Sequence, residues 1–161
     1  MKYKIETAKK SDNPGIVNLL RKYAAEFWFW EVEDRIDIMT CPEFYHERNG
    51  NFWVVKDWNK IIASVWTHEL EYEWKKSWFL RRLYVDEDYR GYGLWKLLLL
   101  QVEEFCRNQW WDYLIFWVDT LVDAKWGVRK FYVKFWYEEF FDNIPQYLID
   151  DNDEWYYRKK M

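Results

Sequence analysis

Alternating apolar and polar residues divide the first third of the chain into a strand and two amphipathic helices. Residues 2–7 alternate as a strand does. "SDNPG" then predicts a helix start, with Ser11 or Asp12 as the cap and Pro14 in the first turn. A second, short helix is predicted to begin at Pro42 and to end at an Asn-Gly turn. One face of the longer helix is predicted to be buried through Ile16, Leu19, Leu20, Tyr23 and Phe27.

The middle of the chain predicts a hairpin, a further strand and a long helix. "NFWVV" and "KIIASVWTHELEY", separated by "KDWN", are typical of a β-hairpin. "SWFLRRLYV" predicts the next strand, and "YLIFWV" is nearly continuous in apolar residues, as in a strand buried on both faces. Between them, a helix from about Leu94 to Arg107 is predicted to bury Leu94, Leu98, Val102 and Phe105.

The last third predicts one more helix and two strands. The helix is expected over 123–135, with Val128, Phe131 and Phe135 on one side. "WYEEF" and "EWYYRKK" are expected as strands, with the loop "DNIPQYLIDDND" between them. Since the sequence shows no linker and no repeat, it predicts a single α/β domain over residues 1–161 with a mixed sheet.

Charge and cysteine content exclude several classes of partner and site. The net charge of −4 gives no basic field to attract nucleic acid or an anionic membrane, so neither is expected as a partner. No apolar run is long enough to span a bilayer. Cys41 and Cys106 stand alone, which favours reduced thiols in a cytoplasmic protein over a disulfide or a nucleophile.

Tryptophan is unusually frequent and glycine unusually rare. The chain has fourteen Trp and five Gly, whereas glycine alone is ordinarily about 7% of residues. Two interpretations stay open: a core built from large side chains, or aromatic surface exposed for binding.

Residues 83–98, "LYVDEDYRGYGLWKLL", carry the most informative motif. A helix N-terminus presents unpaired N–H groups, and glycines before it let the backbone approach a phosphate. A plain tight turn is the alternative. The motif lacks the Gly-Lys-Ser/Thr of a Walker A loop and the third small residue of a dinucleotide fingerprint. The predicted anion-binding backbone comprises Arg90, Gly91, Tyr92, Gly93, Leu94, Trp95 and Lys96.

The order of motifs resembles the GCN5-related N-acetyltransferase (GNAT) family. Its [Q/R]-x-x-G-x-[G/A] motif matches at Arg90 and Gly93, and its A-x-x-F-Y-x-K-x-G-F pattern matches at Phe131, Tyr132 and Lys134. The similarity covers nearly the whole chain. It implies a mixed, mostly antiparallel sheet of about seven strands flanked by about four helices.

The resemblance also implies acetyl-CoA as acyl donor, with its pyrophosphate on the glycine-turn amides and its pantetheine paired with backbone near Leu83 and Val85. Direct transfer to a small-molecule or peptide amine is expected, in a monomer or homodimer. The sequence contains no GxSxG serine, no plausible Cys-His pair and too few histidines for zinc, which fits direct transfer without a metal.

The resemblance implies a catalytic acid, whereas the candidate base and the candidate acceptor-binding residues are predicted from the residues themselves. Tyr132 matches the tyrosine that protonates the departing thiolate, with one more core aromatic as the alternative. Glu71 is the candidate base, from a set with Glu69 and Glu73 predicted on one side of the third strand. A solvated strand edge is its alternative. Arg81 and Arg82 are predicted to hold a carboxylate of the acceptor, and His68 and His46 are expected to be structural.

Three positions depart from the family pattern. Trp95 and Trp136 replace small residues, and Lys125 stands where many relatives have asparagine. Either the Trp95 ring swings outward and leaves the amides accessible, or it fills the phosphate site of a non-catalytic protein. A third interpretation is an aromatic-lined module for peptides or sugars, which exposure of Trp58, Trp74, Trp110 and Trp126 would support.

Overall fold

The structure is a computed structural model that describes residues 3–27, 32, 35–141, 144 and 154–161. The chain forms two compact units. The first unit comprises Met1–His68 and Leu80–Glu104, and the second comprises Glu69–Phe79 and Phe105–Met161. The predicted loop at 142–153 lies, apart from Ile144, outside the described residues.

Seven strands form a mixed sheet, as predicted. They follow the order β1-β2-β3-β4-β5-β7-β6. The ladders of β1 with β2, β2 with β3, β5 with β7 and β6 with β7 are antiparallel, whereas β4 and β5 pair in parallel. The strands are β1 (Ile5–Thr7), β2 (Asn51–Asp57), β3 (Lys60–Tyr72), β4 (Lys75–Val85), β5 (Tyr113–Asp119), β6 (Glu138–Phe140) and β7 (Glu154–Lys160).

Six α-helices occur in the described part of the chain, against the four or so that were expected. They are α1 (Asn13–Phe27), α2 (Ile36–Met39), α3 (Glu43–His46), α4 (Leu94–Asn108), α5 (Thr120–Trp126) and α6 (Val128–Lys134). Two short 3-10 helices, Lys10–Asp12 and Glu87–Tyr89, precede α1 and α4.

The single helix predicted over 123–135 is wrong, because Gly127 divides it. Gly127 adopts a left-handed φ of 63° and ends α5 with a hydrogen bond from its N–H to the Asp123 carbonyl oxygen. Left-handed glycine is a common helix terminator. Asp119 caps the start of α5 by accepting a hydrogen bond from the N–H of Leu121 at 2.7 Å. Helical structure therefore begins three residues earlier than predicted.

Pro14 lies in the first turn of α1, as predicted, whereas the predicted cap residues are part of a 3-10 helix. Ser11 and Asp12 belong to the 3-10 turn, and the Asp12 carboxylate accepts the N–H of Lys9 at 2.9 Å. The turn preceding α1 is therefore already helical. Glu73, predicted to lie on β3, instead occupies the β3–β4 turn with a φ of 50°.

Each unit has its own buried apolar cluster. In the first unit, Ile16, Leu20 and Ile38 pack with strand residues that include Phe52 and Trp66. In the second unit, the cluster comprises Leu70, Tyr72, Phe79, Ile115, Phe140 and Tyr156. The predicted buried faces are confirmed at Ile16, Leu19, Leu20 and Phe27 in α1 and at Leu94, Leu98 and Val102 in α4, whereas Tyr23 and Phe105 are half-buried.

Candidate active site

The glycine turn joins the end of β4 to the start of α4 in the first unit. Gly91 and Gly93 adopt left-handed φ angles of 82° and 77°, a conformation that glycine reaches without steric strain. A Cβ at either position would meet no atom within 4 Å. Both glycines are exposed, and so is Tyr92. The backbone between Arg90 and α4 is thus open to solvent at the N-terminus of a 15-residue helix.

Asp86, directly after β4, stabilises the segment that leads into this turn. Its N–H donates to the Ile62 carbonyl oxygen at 2.8 Å, and its carboxylate accepts the N–H of Asp88 at 3.2 Å. The ammonium groups of Lys22 and Lys60 lie 3.1 and 3.0 Å from Asp86 Oδ2. Burial acts to raise the pKa of Asp86, but the hydrogen bonds from Lys60 and Lys22 outweigh it and lower the pKa. The sequence gives no signal of this carboxylate's role beyond its place after a strand.

Arg90 holds the turn through its side chain. Its two terminal nitrogens contact the Glu26 carboxylate of α1 at 3.1 and 2.6 Å, and its Nε donates to the Val85 carbonyl oxygen at 3.2 Å. Such a bidentate pair fixes orientation as well as charge. The Arg90 side chain therefore positions the turn, with its charge paired to Glu26. Glu26 could not be predicted as a partner from the sequence, because it lies 64 residues from Arg90.

The first turn of α4 carries the other predicted donor-binding positions. Leu94 is buried and anchors the helix start, Trp95 is half-buried, and Lys96 is exposed. The N–H of Leu97 donates to the Gly93 carbonyl oxygen at 3.1 Å, so the first intrahelical bond begins at Gly93.

Leu83 and Val85 lie near the end of β4, half-buried, in the first unit. The parallel ladder of β4 with β5 joins Ser77 to Tyr113, Trp78 to Leu114 and Phe79 to Ile115. β4 then runs on for six further residues, to Val85.

Arg82 interrupts the regular geometry of β4. Its φ is 55°, in the left-handed region that non-glycine residues rarely adopt. Its guanidinium is buried and lies 3.0 Å from the Asp37 carboxylate, which also accepts the Tyr45 hydroxyl at 2.6 Å. Burial acts to raise the pKa of Asp37, but the charge of Arg82 and the Tyr45 hydrogen bond lower it overall. The structure thus gives the Arg82 guanidinium an internal carboxylate partner.

Arg81 borders a cavity of about 380 Å³ in the first unit. Its guanidinium carbon lies 5.7 Å from the Trp66 ring centroid. Burial, with the neighbouring charges of Arg82 and Arg35, lowers the pKa of Arg81 to about 10. The cavity is lined by Arg35, Ile36, Asp37, Phe44, Tyr45, Arg48, Trp66, His68 and Arg81.

Tyr132 lies in the second unit, on α6, and is 6% exposed. Its ring packs against Phe116 at 4.3 Å, Tyr157 at 5.5 Å and Tyr137 at 5.9 Å between centroids. Burial, and to a lesser extent Tyr157, raise the pKa of Tyr132 well above its ordinary value. Its hydroxyl is therefore held neutral.

Tyr157 is fixed beside Tyr132 by a charged pair. Arg129 donates to the Tyr157 hydroxyl at 3.0 Å and to Glu139 at 2.7 Å, and the Tyr157 hydroxyl donates to Glu139 at 3.0 Å. This network could not be predicted from the sequence, because its members come from α6, β6 and β7.

Glu71 also lies in the second unit, on β3 one residue before the strand ends. It is exposed, as is Glu69. The intervening Leu70 and the following Tyr72 are buried, which confirms the alternation predicted for this end of the strand.

Four tryptophans are almost fully exposed and occupy turns. Trp58, Trp74, Trp110 and Trp136 are 93, 96, 95 and 85% exposed. All four have left-handed φ angles, between 54° and 67°. Exposure is therefore confirmed at three of the four positions named for the aromatic-module hypothesis, whereas Trp126 is half-buried. Neither Trp126 nor any of the four exposed tryptophans borders the cavity.

Both cysteines lie in the protein interior. Neither Cys41 nor Cys106 forms a disulfide, both are fully buried, and burial raises the pKa of Cys41 to about 12. The prediction of isolated thiols is confirmed.

Among the residues that the structure describes, no helix has the length and apolarity needed to cross a membrane. In that same set, no group of three or more His, Cys, Asp or Glu side chains is arranged to hold a metal.

Comparison with known proteins identifies the fold. The model of the acetyltransferase (GNAT) family matches residues 16–136. A GNAT-family acetyltransferase from Staphylococcus aureus Mu50 is similar at a TM-score of 0.82 and 19% identity, covering 98% of each chain. An acetyltransferase from Streptococcus agalactiae 2603 has a TM-score of 0.83 and 16% identity, covering 100% of this chain and 99% of its own.

A PaiA N-acetyltransferase from Thermoplasma acidophilum, solved in complex with coenzyme A, has a TM-score of 0.76 and 15% identity over 100% of both chains. No curated protein sequence matches the chain significantly. At these identities the structural similarity shows a shared fold.

Proposed function

Because this chain belongs to the acetyltransferase (GNAT) family, matched over residues 16–136, we propose that it transfers an acetyl group from acetyl-CoA to a primary amine. The observation that carries this proposal is the turn before α4. Gly91 and Gly93 are left-handed and exposed, and they open onto the N-terminus of a long helix. That combination is a ready anion site, since unpaired N–H groups and the helix dipole both favour negative charge.

The acyl donor binds through backbone amides of the turn, as predicted from the motif, and not through the Arg90 side chain. The Arg90 N–H donates to the Glu87 carbonyl oxygen at 3.3 Å and its side chain is engaged by Glu26. The amides that hold the pyrophosphate are therefore those that follow Arg90 in the turn, up to Lys96. The absence of a Cβ at Gly91 and Gly93 lets the phosphate oxygens approach the turn. The pantetheine arm pairs with backbone at Leu83 and Val85, on the segment of β4 that follows its ladder with β5.

Transfer is direct. The acceptor nitrogen attacks the thioester carbonyl, a C–N bond forms and the C–S bond breaks. The Tyr132 hydroxyl gives its proton to the departing thiolate. Glu71 takes the proton that the amine releases, directly or through water, and its exposure leaves the carboxylate accessible.

Two measurements test the proposal. Isothermal titration with coenzyme A should show saturable binding, and acetyl-CoA with an amine panel should release free thiol. Tyr132→Phe should lower kcat about 100-fold or more while the Kd for coenzyme A changes little, since a positioned acid contributes at least that much. Tyr137→Phe removes a buried hydroxyl from the same aromatic cluster and is the matched control.

Trp95 decides between this activity and a non-catalytic protein. Trp95→Gly should change the coenzyme A Kd less than threefold if the indole leaves the amides accessible. No binding by the unaltered protein at millimolar ligand, with binding restored by Trp95→Gly, would show that the indole obstructs the site and would refute the proposed activity.

A further inference from the structure

The cavity beside Arg81 is positively charged although the chain as a whole is acidic. The chain carries a net charge of −4. The cavity walls contain three arginines, Arg35, Arg48 and Arg81, and one carboxylate, Asp37. The Asp37 carboxylate also lies 3.0 Å from the guanidinium of Arg82, which does not border the cavity. The local balance is therefore strongly positive, and charge complementarity favours an anionic ligand.

The carboxylate in the wall is engaged by guanidinium and hydroxyl donors of the protein. Asp37 accepts hydrogen bonds from Arg82 at 3.0 Å, Tyr45 at 2.6 Å and Arg35 at 3.3 Å. Its lowered pKa keeps it ionised and committed to those donors. An ammonium group in the cavity would lie near several guanidinium charges, and the Asp37 carboxylate there is already hydrogen-bonded to protein donors.

Aromatic rings hold two of the arginines in place. The Arg48 guanidinium lies 3.6 Å from the Phe44 ring centroid and donates to the Phe44 carbonyl oxygen at 2.7 Å. Arg81 lies over Trp66. Stacking on an aromatic face restricts a guanidinium and leaves its edge for planar anions. Arg48 is exposed and Arg81 half-buried, so both are within reach of a ligand in the cavity.

The same rings give the cavity an apolar wall. Trp66 stacks on Tyr45 at 3.7 Å and on His68 at 5.3 Å between centroids. Phe44 extends this surface, packing against Tyr45 at 5.1 Å. A cavity of about 380 Å³ is within the range of small-molecule sites.

We infer that this cavity binds the acceptor, and that the acceptor is a small amine carrying a carboxylate or phosphate together with an apolar or aromatic group. The inference rests on the proposed acetyl transfer. The anionic group contacts Arg48 and Arg81, and the apolar group lies on the Trp66–Tyr45 wall. Arg81 precedes Leu83 by two residues on β4, so their Cα atoms are at most about 7 Å apart and an acceptor anchored at Arg81 lies close to the segment proposed to hold pantetheine.

Matched ligands test the anionic requirement without acetyl-CoA. L-phenylalanine and 2-phenylethylamine differ by one carboxylate, and isothermal titration should show L-phenylalanine binding at least tenfold more tightly. Arg81→Gln and Arg48→Gln should each remove most of that difference. Arg107→Gln, an exposed arginine on α4 that does not border the cavity, should preserve it. Circular dichroism and thermal melting of each variant establish that it is folded.

A second pair of ligands separates the two anionic groups. O-phosphoethanolamine and β-alanine are compared with ethanolamine, and a phosphate or a carboxylate preference identifies the group that Arg48 and Arg81 hold. Binding of 2-phenylethylamine and ethanolamine as tight as that of their anionic counterparts would overturn the inference. So would a folded Arg81→Gln variant that keeps the full preference.

Because these titrations omit the acyl donor, they fail separately from the proposed activity. Anion-dependent binding without thiol release would support the cavity assignment and count against acetyl transfer. Thiol release with equal turnover of anionic and neutral amines would support the activity and contradict the cavity assignment.

Discussion

The turn before α4 and the four tryptophan turns all contain residues with left-handed φ angles. These residues are glycine in the turn before α4 and tryptophan in the other four turns. Gly91 and Gly93 have φ angles of 82° and 77°, whereas Trp58, Trp74, Trp110 and Trp136 have angles between 54° and 67°. A left-handed residue with a Cβ costs roughly 1–2 kcal/mol. The fold therefore accommodates the largest side chain at turns that only reverse the chain, and retains glycine where we propose that a phosphate approaches the backbone.

Solvent exposure explains how the tryptophan turns are tolerated. Trp58 and Trp74 occupy short loops between strands, and Trp110 and Trp136 follow α4 and α6. These are positions where glycine is common, because hairpin loops and helix ends often need a positive φ. Each indole is at least 85% exposed, so the side chain meets no packed neighbour and the cost is confined to the backbone.

The largest expected effect comes from placing tryptophan in the glycine turn. Gly93→Trp should fold, since four other left-handed positions already carry tryptophan. It should weaken coenzyme A binding at least 100-fold, because an indole at this position crowds the amides that face the pyrophosphate. Isothermal titration measures the change.

Tyr92→Trp is the control for added bulk in the same turn, as Tyr92 is exposed and is not left-handed. It should change the Kd less than threefold. Equal, tight binding by the wild type and by Gly93→Trp would show that the glycine turn does not contact the donor.

A smaller effect is expected from loosening the base of the turn. Asp86→Asn removes the charge that two lysines contact and should lower the free energy of unfolding by about 2 kcal/mol at pH 7, as charge-assisted hydrogen bonds contribute on that order. The pKa of Asp86 is lowered in the folded state. Its contribution is therefore complete above the unfolded pKa, about 3.9, and is lost as pH falls through the folded pKa.

Urea denaturation at several pH values measures this difference. The wild type and Asp86→Asn should differ at pH 7 and converge in acid. A constant difference across the whole pH range would exclude the carboxylate charge as its source.

The smallest effect is expected at a tryptophan turn. Trp74→Gly should raise the free energy of unfolding by about 1 kcal/mol, because it relieves the left-handed strain at an exposed residue. Trp74→Ala removes the indole but keeps the Cβ, so it should stabilise much less. Chemical denaturation distinguishes them, and equal stabilisation by both would assign the effect to the indole rather than to the backbone.

The sequence predicted the order of elements well because hydrophobic periodicity is a local property. The seven strands and the buried faces of α1 and α4 could be read from apolar spacing alone. The division of the helix after β5 was missed, since a single glycine in a helical pattern is weak evidence for a break. Its effect depends on the left-handed φ of Gly127, which periodicity does not report.

The candidate site was only partly predictable, for a physical reason. The glycine turn lies within one short segment, so its motif carries its geometry. The side chains that stabilise the turn could not be predicted from this segment, because Glu26 and Lys22 come from α1 and Lys60 from β3. The cavity follows the same rule: Arg81 was identified on its strand, but Arg35, Arg48 and Trp66 come from separate elements.

Amide chemical shifts during a coenzyme A titration test the central claim most directly. In two-dimensional ¹H–¹⁵N NMR spectra, we expect the amides of residues 90–96 to shift and saturate with coenzyme A, and to remain unchanged with pantetheine, which lacks the diphosphate. Saturable binding of coenzyme A that leaves the amides of residues 90–96 unshifted would contradict the account.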